Sequence, residues 1–105
     1  MIRTIVVDDE ADGREALKTA LERYCPEVEI LRICETPERG LEAIKALQPD
    51  LVLLDVQMPH LSGFDLLQRI EKINFAVIFV TAFDRYAIKA IKFSALDYLL
   101  KPVDV

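Results

Sequence analysis

The sequence predicts an α/β fold in which one doubly wound sheet of parallel strands carries helices on both faces. Short apolar runs alternate with longer stretches whose apolar residues recur at steps of three and four, the rhythm of strand-helix-strand units. The runs Ile5-Val6-Val7, Leu51 to Leu54 and Val77 to Val80 are continuous, as expected of strands covered on both faces. A chain of 105 residues with 52% hydrophobic content has room for one core, so a single domain follows.

Taken in order, Ile5-Val6-Val7 is the first strand. Leu17, Ala20, Leu21 and Tyr24 then share a helix face until Pro26 ends it. Val28 to Cys34 is the second strand, and Glu29 and Arg32 within it place it at a sheet edge, where charged side chains need not be buried. Thr36-Pro37 has the form of a helix start, with Thr as N-cap and Pro at the first helical position. The second helix presents Leu41, Ile44 and Leu47 inward and stops before Pro49. After the third strand, Leu51 to Leu54, Ser62 caps a helix expected to carry Phe64, Leu67, Ile70 and Ile73 inward. Val77 to Val80 is the fourth strand. A fourth helix over about Arg85 to Phe93 precedes a fifth strand, Tyr98-Leu99-Leu100.

Composition excludes several classes of function. A formal charge of -5, from 18 acidic against 13 basic residues, argues against this chain gripping a phosphate backbone itself. No apolar run nears the roughly 18 residues of a membrane helix, and no signal-like apolar segment opens the chain, so a cytoplasmic protein is expected. Cys25 and Cys34 lack a disulfide framework or metal-knuckle spacing and are read as reduced packing residues.

Right-handed crossovers put the C-terminal ends of all strands on one side, where ligands of such sheets bind. The first strand ends in Asp8-Asp9, the third in Asp55, the fourth in Thr81 and the fifth in Lys101, so five polar groups gather on one rim. Carboxylates crowded together repel, and a hard divalent cation such as Mg2+ relieves that repulsion while keeping them ionised. Mg2+ commonly pairs carboxylates with phosphate oxygens, Lys101 adds a positive charge and Thr81 a hydroxyl, so the site suits a phosphoryl group. Asp55, on a central strand, is the preferred nucleophile for an aspartyl phosphate. Lys101 would neutralise the oxygens of the transferring group.

Asp8-Asp9, Asp55-Val56-Gln57-Met58-Pro59 with Gly63 beyond, Thr81-Ala82 and Lys101-Pro102 together resemble the receiver domains of two-component response regulators, over the whole chain. The resemblance implies a flavodoxin-like five-stranded sheet in the order 2-1-3-4-5. It implies that Asp55 accepts a phosphoryl group from a sensor histidine kinase. Asp8, Asp9, Asp55 and the Gln57 backbone carbonyl would hold Mg2+, while Thr81, the Ala82 backbone and Lys101 would contact the phosphoryl group. Pro102 would follow a cis peptide bond, and Tyr98 would be a switch aromatic moving with Thr81. Phosphorylation would then change the face from Ala87 to Tyr98, formed by the fourth helix and fifth strand.

The stretch "TAFDRYAIKAIKFSALDYLLKP" is similar to receivers attached to LytTR-type DNA-binding domains. Such regulators dimerise when phosphorylated and bind DNA through a separate C-terminal domain. The chain stops at Val105, where the family's fifth helix begins, so residues 1–105 read as a truncated receiver without its output domain.

Each residue also has a plainer reading. Asp8 or Asp9 suits a helix cap, Thr81 a turn, Lys101 an ordinary exposed lysine and Tyr98 a core aromatic. His60 reads as an exposed loop residue. Asp55 resists such a reading, because a carboxylate closing a central apolar strand is costly without partners. Two alternative functions are a receiver-like interaction module that takes no phosphate and a Mg2+-dependent phosphatase of the haloacid-dehalogenase type. The latter places a second Asp two residues after the nucleophile, where this chain has Gln57.

Overall fold

The computed structural model describes residues 1–82 and 97–101, with Asp97–Leu100 described through the backbone alone. Along the chain run β1 (Ile2–Val7), α1 (Ala11–Tyr24), β2 (Val28–Cys34), α2 (Pro37–Leu47), β3 (Leu51–Leu54), α3 (Gly63–Gln68), β4 (Ala76–Thr81) and β5 (Asp97–Leu100). The five strands form one parallel sheet in the order β2-β1-β3-β4-β5, the flavodoxin-like arrangement expected. The fourth helix and whatever follows Lys101 lie outside the described residues.

Although the strand sequences are uninterrupted apolar runs, successive side chains still alternate between faces. Ile5, Val7, Val52, Leu54, Val77 and Phe79 point to the face covered by α2 and α3, where they meet Ala43, Ile44, Phe64, Leu66 and Leu67. Val6, Leu53 and Val80 point the other way, to Leu17 of α1. The rings of Phe64 and Phe79 lie 4.8 Å apart between centroids, tilted by 53°, which fixes α3 against β4. At the edge, Glu29 and Arg32 of β2 are exposed. Thr4 pairs with Ile30 and Ile5 with Arg32, so Leu31 is an extra residue that bulges this outer strand.

Helix ends follow local chemistry. Thr36 Oγ1 accepts from the Arg39 N–H at 3.1 Å with Pro37 next in the chain, and the left-handed Gln48 (φ 48°) closes α2 before Pro49. Ser62 and Asp65 exchange a reciprocal pair of bonds, Asp65 N–H to Ser62 Oγ at 3.0 Å and Ser62 N–H to Asp65 Oδ2 at 3.2 Å. The third helix is shorter than its apolar pattern suggests. It ends at Gln68; Ile70 is half-buried against the core and Ile73 is exposed. The helix stops five residues before Ile73, so helical spacing no longer holds that side chain against the core face. Tyr24, the last residue of α1, is likewise exposed.

The N-terminal end of the sheet is closed by Arg3. Its guanidinium donates to the carbonyl oxygens of Gln48 and Leu47, both at 2.8 Å, satisfying the end of α2. Its backbone N–H donates to Asp50 Oδ2 at 2.9 Å, and the Asp50 N–H returns a bond to the Arg3 carbonyl at 2.7 Å.

Candidate functional site

At the opposite end, the parallel ladder continues one residue past each strand and thereby aligns the rim. The Asp8 N–H donates to the Cys34 carbonyl at 3.0 Å, the Asp55 N–H to the Val7 carbonyl at 3.0 Å and the Lys101 N–H to the Thr81 carbonyl at 2.7 Å. Each site residue is thus pinned by its backbone to a neighbouring strand, and the side chains have little freedom in where they emerge. Gly63 is required for the same reason. Its N–H donates to the Val56 carbonyl at 2.7 Å, and a Cβ on it would run into the Asp55 carbonyl oxygen.

Lys101 is the centre of the site. Its Nζ lies 2.9 Å from Asp8 Oδ2, 3.0 Å from Asp55 Oδ2 and 2.5 Å from Glu10 Oε1. Asp8 and Asp55 are 1% and 4% exposed, so both carboxylates are taken almost wholly out of water. The Gln57 N–H donates to Asp55 Oδ1 at 3.2 Å, and the Glu10 N–H to Asp8 Oδ1 at 2.9 Å. Asp8 Oδ2, by contrast, receives only the Coulombic contact with Lys101 and no directed hydrogen bond. Asp8 therefore shapes the turn before α1 without capping it; the helix's N-cap is Glu10, which makes no side-chain cap bond.

One ammonium cannot balance these acids. Asp8, Asp9, Glu10 and Asp55 can each offer an oxygen such that all four lie within 4.8 Å of one another. The Asp55 carboxyl is pushed up to about 6, because burial and the Asp8 charge together outweigh the hydrogen bond and charge of Lys101 and the Gln57 N–H, which act to lower it. Burial acts to lower the Lys101 ammonium, but Glu10, Asp8 and Asp55 outweigh that and hold it well above the usual lysine range. A cavity of about 240 Å³ opens beside Asp55, lined by Asp9, Glu10, Gln57, Thr81 and Ala82.

All rim residues singled out in the sequence therefore meet at one place, and Thr81 is fully buried at the end of β4. His60 lies in the exposed loop after β3 with φ 72° and takes no part. Tyr98 is in β5 opposite Phe79, its side chain outside the described residues, as is Pro102. Two participants were missed. Glu10 directly follows the acid pair, and Gly13 lies where a Cβ would strike Asp8 Oδ2 and sit 3.2 Å from Lys101 Nζ. Their only sequence signal is position in the first turn of a helix that starts at the rim.

The model of the response regulator receiver domain matches residues 4–105. The chain belongs to that family. It is 41% identical over 105 residues to the transcriptional regulatory protein BtsR of Escherichia coli K12, covering 99% of this chain and 44% of BtsR. It is 42% identical over 106 residues to the sensory transduction protein LytT of Bacillus cereus, covering 99% of this chain and 43% of LytT. The chain thus spans less than half the length of these curated relatives. Among solved structures, the response regulator TrrA of Thermotoga maritima, in complex with Mg2+ and BeF, has a TM-score of 0.84 at 33% identity. That match covers 99% of this chain and 90% of TrrA. The response regulatory domain of mrkE from Klebsiella pneumoniae has a TM-score of 0.88 at 27% identity, covering 98% and 85%.

Receiver domains are signalling domains of two-component systems that typically use Mg2+ at an acidic pocket. The residues of this receiver fit such an ion: they supply oxygen donors in excess of local positive charge, and the buried Asp8 Oδ2 lacks a directed partner. Among the described residues no helix is long and apolar enough to cross a membrane.

Proposed function

We propose that the chain is the phosphorylation-controlled switch of a two-component regulator, with Asp55 as the phosphoacceptor. The observation that carries this reading is the placement of Asp55: a nearly inaccessible carboxylate at the end of a central strand, 3.0 Å from a lysine and open to a cavity. A carboxylate so placed is held ready for one attacking trajectory, from the cavity side.

In this reading an Asp55 oxygen attacks the phosphorus of a phosphohistidine on a sensor histidine kinase. The new O–P bond forms as the N–P bond breaks, and the imidazole leaves with the electron pair. Asp8, Asp9, Asp55 and the Gln57 carbonyl would hold Mg2+. The bound ion would supply charge neutralisation for the acids and the phosphoryl oxygens. Lys101 Nζ, Thr81 and the Ala82 backbone would take the remaining phosphoryl oxygens, stabilising charge as it spreads over them. Tyr98 and Thr81 would couple the modification to the face from Ala87 to Tyr98. BtsR is named a transcriptional regulatory protein, and both BtsR and LytT are more than twice as long as the aligned region. Residues 1–105 are accordingly proposed as the receiver part of a LytTR-type transcription regulator that dimerises on phosphorylation and contacts DNA through another domain.

The test is intact-mass measurement after incubation with Mg2+ and acetyl phosphate. One phosphoryl adduct is expected on the parent, and none on Asp55→Asn or without Mg2+. An adduct retained in Asp55→Asn would overturn the assignment.

A further inference from the structure

Lys101 Nζ donates hydrogen bonds to Asp55 Oδ2 and Glu10 Oε1 and lies 2.9 Å from Asp8 Oδ2 as an ion pair, so three carboxylates share one ammonium. A phosphoryl group arriving on Asp55 therefore competes with these carboxylates for Lys101 Nζ. The three partners are not equivalent. Asp8 and Asp55 are buried, and a carboxylate abandoned there would be stranded out of water. The Glu10 side chain is 62% exposed, so it returns to solvent at little cost.

The first turn of α1 is shaped around this lysine. Glu10 is fixed by its own N–H to Asp8 Oδ1, which sets its side chain over the rim. Gly13 leaves space where a Cβ would press on Asp8 Oδ2 and Lys101 Nζ. Beside Lys101 a groove of about 160 Å³, lined by Asp12, Gly13, Ala16, Leu17 and Val80, gives the aliphatic stem apolar walls and room to shift.

We propose that Glu10 is a positioning residue for Lys101: it holds the ammonium at the rim in the unphosphorylated protein and competes with the phosphoryl group for it. The inference rests on Asp55 being the phosphoacceptor. Glu10 biases the site toward its unphosphorylated arrangement, so removing its charge favours the phosphoryl-bound one. Asp12 supplies the control, because it lines the same groove as a carboxylate but makes no ion pair among the described residues.

The experiment measures the affinity for beryllofluoride, a phosphoryl mimic, at saturating Mg2+ by calorimetry on the parent, Glu10→Gln and Asp12→Asn. The Lys101 Nζ signal is followed by nitrogen NMR without beryllofluoride. The expected result is about two- to fivefold tighter binding in Glu10→Gln, the range of a partly exposed ion pair, with the Nζ signal displaced. Asp12→Asn should leave both unchanged. Equal effects of the two substitutions, or weaker binding in Glu10→Gln, would overturn the role of Glu10 while leaving the phosphoacceptor reading intact. A parent that binds no beryllofluoride, or an Asp55→Asn variant that binds it as well as the parent, would overturn that reading and this proposal with it.

Discussion

The two ends of the sheet solve the same problem in opposite ways. Both are places where strands stop and charged residues gather. At the N-terminal end, Arg3 donates to two orphan carbonyls of α2 and exchanges backbone bonds with Asp50, so each of these donors meets an acceptor. At the C-terminal end, Asp8, Glu10 and Asp55 surround one ammonium with Asp9 beside them, and a buried carboxylate oxygen lacks a directed hydrogen bond. The first arrangement locks structure. The second keeps negative charge in place against its own repulsion, an arrangement that fits the Mg2+ that receiver domains typically use at an acidic pocket.

Substitutions at each end sharpen the contrast. Lys101→Met removes the sole ammonium among the described site residues and leaves Asp8 and Asp55 facing each other in a buried space. It should destabilise the metal-free protein at pH 7.5 by about 3 kcal/mol, measured by urea unfolding. Added Mg2+ should recover much of that loss, since a divalent ion supplies the missing charge. Arg3→Met should cost about 1 kcal/mol, the value of hydrogen bonds that water can replace at a partly exposed helix end. Mg2+ should not recover it. Equal rescue of both variants would erase the distinction between the two ends.

Most of the architecture was legible because each local signal agreed with the next. Continuous apolar runs marked the inner strands, Glu29 and Arg32 marked the edge, and Thr36-Pro37 and Ser62 marked helix starts that the structure caps as expected. The rim was legible too, since parallel strands place their last residues side by side. What stayed hidden depends on three-dimensional fit. The early end of α3 at Gln68 left Ile73 outside the helix and exposed, and the bulge at Leu31 comes from pairing geometry that no single strand records. Glu10 looks like any surface acid and Gly13 like a weak helix residue until Lys101, 91 and 88 positions further on, is brought between them. Arg3 was invisible as a helix cap for the same reason, its carbonyl partners being 44 and 45 residues away.

The central claim, that the C-terminal rim stores carboxylate charge for a cation, is tested most directly by comparing the unfolding free energies of the parent and Asp55→Asn with and without Mg2+. The Asp55 carboxyl is held at about 6 in the folded protein, against the ordinary 3.8. The folded state therefore binds this proton more tightly than the unfolded chain, and stability falls as pH rises between those values. Lys101 keeps Asp8 and Glu10 when Asp55 is neutralised, so no stranded ammonium offsets the gain. The expected result, in metal-free buffer at pH 7.5, is an Asp55→Asn variant more stable than the parent by about 2–3 kcal/mol. That gap should narrow toward pH 4.5 and also close as Mg2+ is added at pH 7.5. A parent at least as stable as the variant without metal, together with a difference that Mg2+ leaves unchanged, would contradict the account.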